Sequence, residues 1–351
     1  MKREKNGPRA PGLTKRYRRP SLRERYARHP PGIRFWVGTG LLVIYAGVAV
    51  SAVLRFGEGL GTLPYNYQWA AGNYILGPSA SHPFGVISGF GTGLFGAIWQ
   101  ATPWDLGMVS GILGIDVSLG WLIGGVAGLR PGGWWDQLLM FICDSIGAIP
   151  SFLLLAIGYF ATLWFAYPNP DTLPPTSWRY LGMPIFVVLF GVVLWPRMAR
   201  TVRDRAQFIA NATFVEASRA SGASSRRILF RQILPNSVGP VLAQVPVDLV
   251  PIFFILSIGP WLVTCGLGVP STSGAGFIVP TLPIVSPLPS TSFPEWGYLL
   301  AVGACEGLGP TAGAIYDYWW MYLFPLLAIV VLGLAIGLFC DGIDRWWRMK
   351  A

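Results

Sequence analysis

Six long apolar runs divide this chain, and its polar residues are gathered between them. The first, Ile33–Leu54, is 22 residues long, and roughly 20 suffice for a helix to cross ~30 Å of hydrocarbon. The others cover 105–129, 137–167 with Pro150 inside it, 180–196 limited by Pro196, 237–263 and 318–340. The fifth is interrupted by Pro240, Pro246, Pro251 and Pro260, which predicts locally unwound backbone around Asp248. Runs of this length predict an all-α integral membrane protein with six transmembrane helices. Segment 55–104 is Gly-, Pro- and aromatic-rich and almost uncharged, and Val86–Trp99 within it predicts an interfacial helix. Segment 264–317 reads as a Ser/Pro/Gly-rich loop.

Charge sets the orientation. Only 12% of the 351 residues are charged, about half the ~25% of soluble domains. A net charge of +10 would also suit a nucleic-acid binder, so its placement decides. Of 26 Lys+Arg, 24 fall in 1–34, 130–136, 197–235 and 341–351, and only Arg55 and Arg179 lie elsewhere. This is the positive-inside pattern of six spans with both termini cytoplasmic, not a nucleic-acid surface. It assigns 1–32 to a basic cytoplasmic tail beside membrane lipid, 55–104 and 264–317 to extracytoplasmic loops, and 341–351 to a cytoplasmic tail. The long basic start before a membrane-length run reads as a retained anchor, not a cleaved leader. Trp36, Trp195, Trp319 and Trp320 read as an interfacial belt; Trp69, Trp99 and Trp296 are candidates to face a partner or substrate.

The segment 197–235 is the long polar interruption inside the apolar pattern. Thr213 and Glu216 have capping-box spacing, predicting a helix over Phe214–Ser221 that Gly222 ends in a left-handed conformation. Ser224 is placed to cap a second helix, Ser225–Leu234, closed or kinked by Pro235. Small residues on the first (Ala217, Ser218, Ala220, Ser221) and arginines on the second suit docking into a groove on a partner.

At this segment the chain resembles the permease subunits of binding-protein-dependent ABC importers. Their cytoplasmic loop carries an E-A-A, Gly, I-L-P pattern, matched here by Glu216-Ala217-Ser218, Gly222 and Ile233-Leu234-Pro235. Ten residues between Gly222 and Ile233 resemble the C-type subunit of the dipeptide/oligopeptide branch. Further landmarks follow in order: His82-Pro83-Phe84-Gly85, Gly132-Gly133-Trp134-Trp135-Asp136, Asp144 with Ile149-Pro150, Trp195-Pro196-Arg197, Gly266-Leu267-Gly268-Val269, Trp296-Gly297 and Asp341-Gly342. Departures lie mostly on the outer side: Val86-Ile87 and Gly91-Thr92-Gly93 replace the usual polar residues, Phe141 stands for an arginine, and the loop before Trp296 is long. The resemblance implies a type I importer fold working with a second homologous permease, two ATPases and an extracytoplasmic substrate-binding protein. It implies ATPase coupling through Glu216, Ala217, Ser218, Ala220, Gly222, Ala223, Ile233 and Pro235. Short peptides are the implied substrate, with oligosaccharides next.

The chemistry agrees with a non-catalytic subunit. Lys2, Lys5, Lys15 and Lys350 are the lysines, and none lies in a P-loop context, so ATP and its magnesium belong to partner subunits and no cofactor to this chain. Four cysteines without C-x-x-C and two histidines give no metal site; Cys265 and Cys305 share an outer loop and are either bridged or free. Carboxylates within spans are functional candidates by default. Asp248, Asp144 and Trp296 are candidates for the substrate pathway, with Asp144 also suited to pairing with a loop arginine; Asp116 has no assigned role. Two other classes stay open: a secondary transporter, which needs matched broken helices in two halves, and an intramembrane enzyme, although neither G-x-G-D nor H-E-x-x-H occurs.

Overall fold

The computed structural model describes residues 32–57, 76–86, 93–150, 153, 157, 183–261, 295–297, 299–300 and 318–348. Their regular elements are helical: α1 (Ile33–Phe56), α2 (Leu94–Leu129), α3 (Trp134–Ala148), α4 (Met183–Ala210), α5 (Thr213–Ala220), α6 (Ser225–Ile228), a π-helical turn (Leu229–Ile233), α7 (Leu234–Asn236), α8 (Val238–Trp261) and α9 (Trp319–Arg348). Among the described residues five helices, α1, α2, α4, α8 and α9, are long and apolar enough to cross a membrane. The basic tail, Trp69, Cys265, Cys305, the Gly266–Val269 landmark and most of the loop 264–317 lie outside the described residues.

Several helices outrun the apolar runs that predict them. The expected interfacial helix and the expected span at 105–129 are one 36-residue helix, α2, which begins at Leu94 and passes through Pro103. Its first turns have their own core: Leu94 and Ala97 pack with Leu299, Trp320 and Met321, and Trp99 Nε1 donates to Ser51 Oγ at 2.9 Å. Helix α4 does not stop at Pro196 but runs on to Ala210. A helix-interior proline costs about 3 kcal/mol, yet Met198, Ala199, Val202 and Ala206 beyond it are fully buried. Burying a valine- or methionine-sized side chain is worth about 1.5–3 kcal/mol each, which offsets the break. Helix α8 is likewise continuous through Pro246 and Pro251, so the backbone at Asp248 is not unwound; buried Leu249, Ile252, Ile255 and Leu256 hold it in a core with α2 and α4. Helix α9 continues past Cys340, where Asp341 accepts from Arg34 at 2.7 Å and from Arg345 one turn on at 3.0 Å.

The expected third span, 137–167, is described only in its first half. Helix α3 ends at Ala148, and Ile149 is extended (φ −82°, ψ 128°), as the ring of the following Pro150 demands.

Glycines let α2 approach α4 closely, and α1 approach α9. On α2, Gly120, Gly124 and Gly128 recur every four residues on the face towards α4. A Cβ on Gly120 would sit 2.5 Å from Met198 Cβ; on Gly124 it would strike the Ala199 carbonyl oxygen, and on Gly128 the Ala206 side chain. Helices α1 and α9 touch reciprocally, Gly38 against Phe339 and Gly342 against Phe35. Trp195 and Trp320, expected in the interfacial belt, are 6% and 8% exposed and belong to the core, whereas Trp36 and Trp319 are half exposed.

Candidate functional site

The segment after α4 folds as two short helices hung beneath α2 and α4. Helix α5 exposes nearly its whole circumference and buries one side chain, Val215. Val215 inserts among Ala206, Ile209, Ala210, Ile228, Leu229, Ile233 and Leu234. That burial also sets the register. The predicted capping box does not form: Ala212 is the N-cap, without a side-chain bond, and Thr213 is already helical. With Val215 seated against the end of α4, the helix starts one residue before a Thr213 hydroxyl cap would place it.

The other end follows the sequence closely. Gly222 is left-handed (φ +81°), Gly222 N–H donates to Arg219 C=O at 2.9 Å and Ala223 N–H to Ser218 C=O at 3.0 Å, which is the Schellman pattern. Ser224 caps α6 by accepting from Arg227 N–H at 3.4 Å. We expect Ser224→Ala to cost about 0.5–1 kcal/mol locally, read as faster hydrogen exchange at the Arg227 amide. Gln232 Nε2 donates to Ser218 Oγ at 2.6 Å, joining α5 to the π-helical turn. Arg219 donates to the Leu129 carbonyl at 3.3 Å, closing the end of α2. The π-helical turn then carries the chain through Pro235, which neither closes nor breaks it; the turn comes at Ser237, whose hydroxyl bonds Leu234 C=O (2.9 Å) and receives Trp121 Nε1 (2.8 Å).

The residues expected to contact an ATPase therefore divide. Glu216, Ala217, Ala220, Gly222 and Pro235 are exposed and Ser218 and Ala223 half-buried, whereas Ile233 is fully buried and acts as an anchor. On α6 and the π-helical turn, a shallow concavity of about 600 Å³ is lined by Ser224, Arg226, Arg227, Phe230 and Arg231. No carboxylate among the described residues pairs with these three arginines.

A buried ion pair ties this assembly to α3. Arg203 on α4 grips Asp136 in two parallel hydrogen bonds, Nε–Oδ1 at 2.5 Å and Nη2–Oδ2 at 2.9 Å. Asp136 is 3% exposed and also accepts from Gly132 N–H at 3.0 Å, in a turn where Gly132 has φ +75°. The Arg203 bonds hold the Asp136 carboxyl below the usual aspartate range, with the Gly132 amide helping.

The three pathway candidates are not brought together. Asp144 is exposed and pairs with Arg200 at 2.9 Å. Trp296 has no exposed surface: its N–H donates to Asp105 Oδ2 at 3.0 Å, its Nε1 to Ile98 C=O at 3.3 Å, and its ring lies edge-on to Tyr45. Asp248 is buried on α8, where Asp116 of α2 and Arg197 of α4 converge on it. Sequence reasoning missed Asp105, Arg197 and the Asp136–Arg203 pair; only the tertiary meeting of separate helices shows these partnerships. Among the described residues no group of three or more His, Cys, Asp or Glu could hold a metal ion.

Apolar helices of spanning length, with a short helix exposed almost all round beside one end of them, define a multi-pass membrane protein rather than a soluble fold. Residues 119–349 match the family described as binding-protein-dependent transport system inner membrane component. The chain belongs to that family of ABC importer permeases, in its dipeptide/oligopeptide-type branch. It is 31% identical over 270 residues to the glutathione transport system permease protein GsiD of Pectobacterium atrosepticum, covering 76% of this chain and 72% of that one. The GsiD proteins of Shigella flexneri serotype 5b (31% over 272 residues; 77% and 73%) and Escherichia coli O157:H7 (30% over 274 residues; 77% and 73%) are similarly related. The family is one of transport permeases, and binding-protein-dependent transport entails an ATPase and a substrate-binding protein as partners.

Proposed function

We propose that this chain is the permease through which ATP hydrolysis on separate subunits drives alternating access for a small peptide-like solute. Six spans with both termini cytoplasmic, the positive-inside arrangement of 24 of 26 Lys+Arg, put the 213–235 unit in the cytoplasm, facing two ATPases. A second, homologous permease completes the pathway. The peptide-like solute is supported by the relatives named for glutathione transport; an oligosaccharide is the alternative cargo, and the solute is selected by the binding protein.

The observation that carries the reading is the exposure of α5. A helix of eight residues that buries one side chain, Val215, does not stabilise a fold on its own account. Its small outer residues leave its backbone open to close approach by a partner. Gly222 sharpens the test, because a Cβ there meets nothing within 4 Å in this chain and aspartate tolerates the left-handed conformation better than most residues. Gly222→Asp and Glu216→Lys are expected to leave the amount of membrane-inserted protein unchanged and to cut co-purification with the ATPases and ATP-dependent uptake at least about tenfold, a loss of ~1.4 kcal/mol of docking. Normal uptake in both variants would remove the coupling role. Screening peptides and sugars by thermal shift on the partner binding protein identifies the cargo.

A further inference from the structure

One cluster deep among the helices is used by nothing above. Asp116 on α2 and Asp248 on α8 are 0% and 1% exposed, and their carboxyls lie within hydrogen-bonding reach of each other. Asp248 Oδ1 accepts from Gln244 Nε2 at 2.9 Å and lies 3.6 Å from the Arg197 guanidinium of α4. Gln244 is itself oriented by Thr201 of α4, whose hydroxyl bonds its Oε1 at 3.3 Å. Asp248 Oδ2 and both oxygens of Asp116 have no donor. Among the described residues, Arg197 is the one cation facing the pair from the elements packed around it.

The charges do not balance as drawn. Two ionised carboxylates in contact repel by about 4 kcal/mol even at an effective dielectric constant of ~20, and each unsolvated ion costs several kcal/mol more. One guanidinium neutralises one of them. The remaining charge needs a cation that fits between two carboxyls without a coordination shell. A proton does so, and it turns one carboxyl into an O–H donor for the other, giving two orphaned oxygens a partner at once. A hard metal ion would need six or more oxygens, and the cluster supplies two carboxyls and the side-chain oxygen of one already engaged amide.

We propose that Asp116 and Asp248 form a proton-binding site at the junction of α2, α4 and α8, holding one proton between them. Gln244 and Arg197 both point at Asp248, so Asp248 is the carboxylate and Asp116 carries the proton. Arg197, which faces the pair, also lines a cavity of about 190 Å³ between α3 and α4. When the proton leaves, the doubled negative charge draws Arg197 inward. Arg197 stands on the same helix that ends at α5, so occupancy of the site biases the position of the exposed unit.

The test is infrared difference spectroscopy on the full chain, co-purified with its partner subunits in lipid nanodiscs. At neutral pH the wild type should show a deuterium-sensitive band of a buried protonated carboxyl that Asp116→Asn abolishes. Asparagine is nearly isosteric with the protonated acid and brings its own donor, so the fold is retained. In Arg197→Gln, a half-exposed position, the band should persist to a pH about one unit or more above that of the wild type. A wild-type spectrum unchanged by Asp116→Asn would overturn the site, as would a band that responds to sodium at fixed pH and not to pH itself.

Discussion

Gly124→Val is expected to disrupt the contact between α2 and α4 and to destabilise the protein by about 3 kcal/mol or more, at or beyond the upper end of overpacked cores. The reason is what stands opposite. A side chain at Gly124 meets the Ala199 carbonyl oxygen and Val202 Cβ at 2.9 Å, and a backbone carbonyl cannot rotate away as a side-chain tip can. The helices must move apart, and the burial of Met198, Ala199, Val202 and Ala206 then fails together. Gly114→Val supplies the control. It lies on the same helix, changes helix propensity equally and meets nothing within 4 Å, so its effect should stay within about 1 kcal/mol. Thermal unfolding and monodisperse yield of detergent-solubilised protein compare the two. Equal behaviour would mean that the glycine stripe does not set this packing.

Arg203→Ala is expected to cost about 3–5 kcal/mol, because it leaves Asp136 charged, nearly buried and without its main donor. The double variant Asp136→Asn/Arg203→Ala should recover part of that loss, since no uncompensated charge remains. The sign of the pH dependence follows from the lowered carboxyl of Asp136. An acid whose folded-state value lies below its unfolded one, about 3.9, contributes fully above the unfolded value. The contribution disappears as pH falls through the lowered value. Wild-type unfolding should therefore show an acid limb below about pH 4 that is diminished in Asp136→Asn. An identical acid limb in the two proteins would place the acid sensitivity elsewhere.

Much of this fold was legible because apolar runs and their proline and glycine punctuation are local. Ile33 as the start of α1, the left-handed Gly222 and the Ser224 cap all follow from residues within a few positions of one another. The reading went astray where packing at a distance decided the outcome. Pro196 reads as an end and is interior to a helix, because the turns beyond it bury against partners far along the chain. Thr213 looked like a cap and is not one, because Val215 seats against α4. Asp116 was noticed as an intramembrane acid, yet nothing in its neighbourhood indicates that Asp248, 132 positions away, stands beside it. Of the exposed unit, the residues that face outward were legible from their small size, whereas the anchoring role of Ile233 required the core around it.

The length of α4 has a mechanical consequence. Its 28 residues make a rod roughly 42 Å long at 1.5 Å per residue, reaching from among the apolar helices to the hinge of the exposed unit. Pro196 sits near its midpoint and deprives Val192 of its usual backbone donor, giving the rod one built-in flexure. Tilting the 14 residues beyond it, about 21 Å, by ~10° would swing the far end by ~4 Å. The lever arm on the far side of that flexure carries Arg197, Arg200 and Arg203, so each ion pair to α3 or α8 acts as a stay whose slackening sets how far the arm can travel.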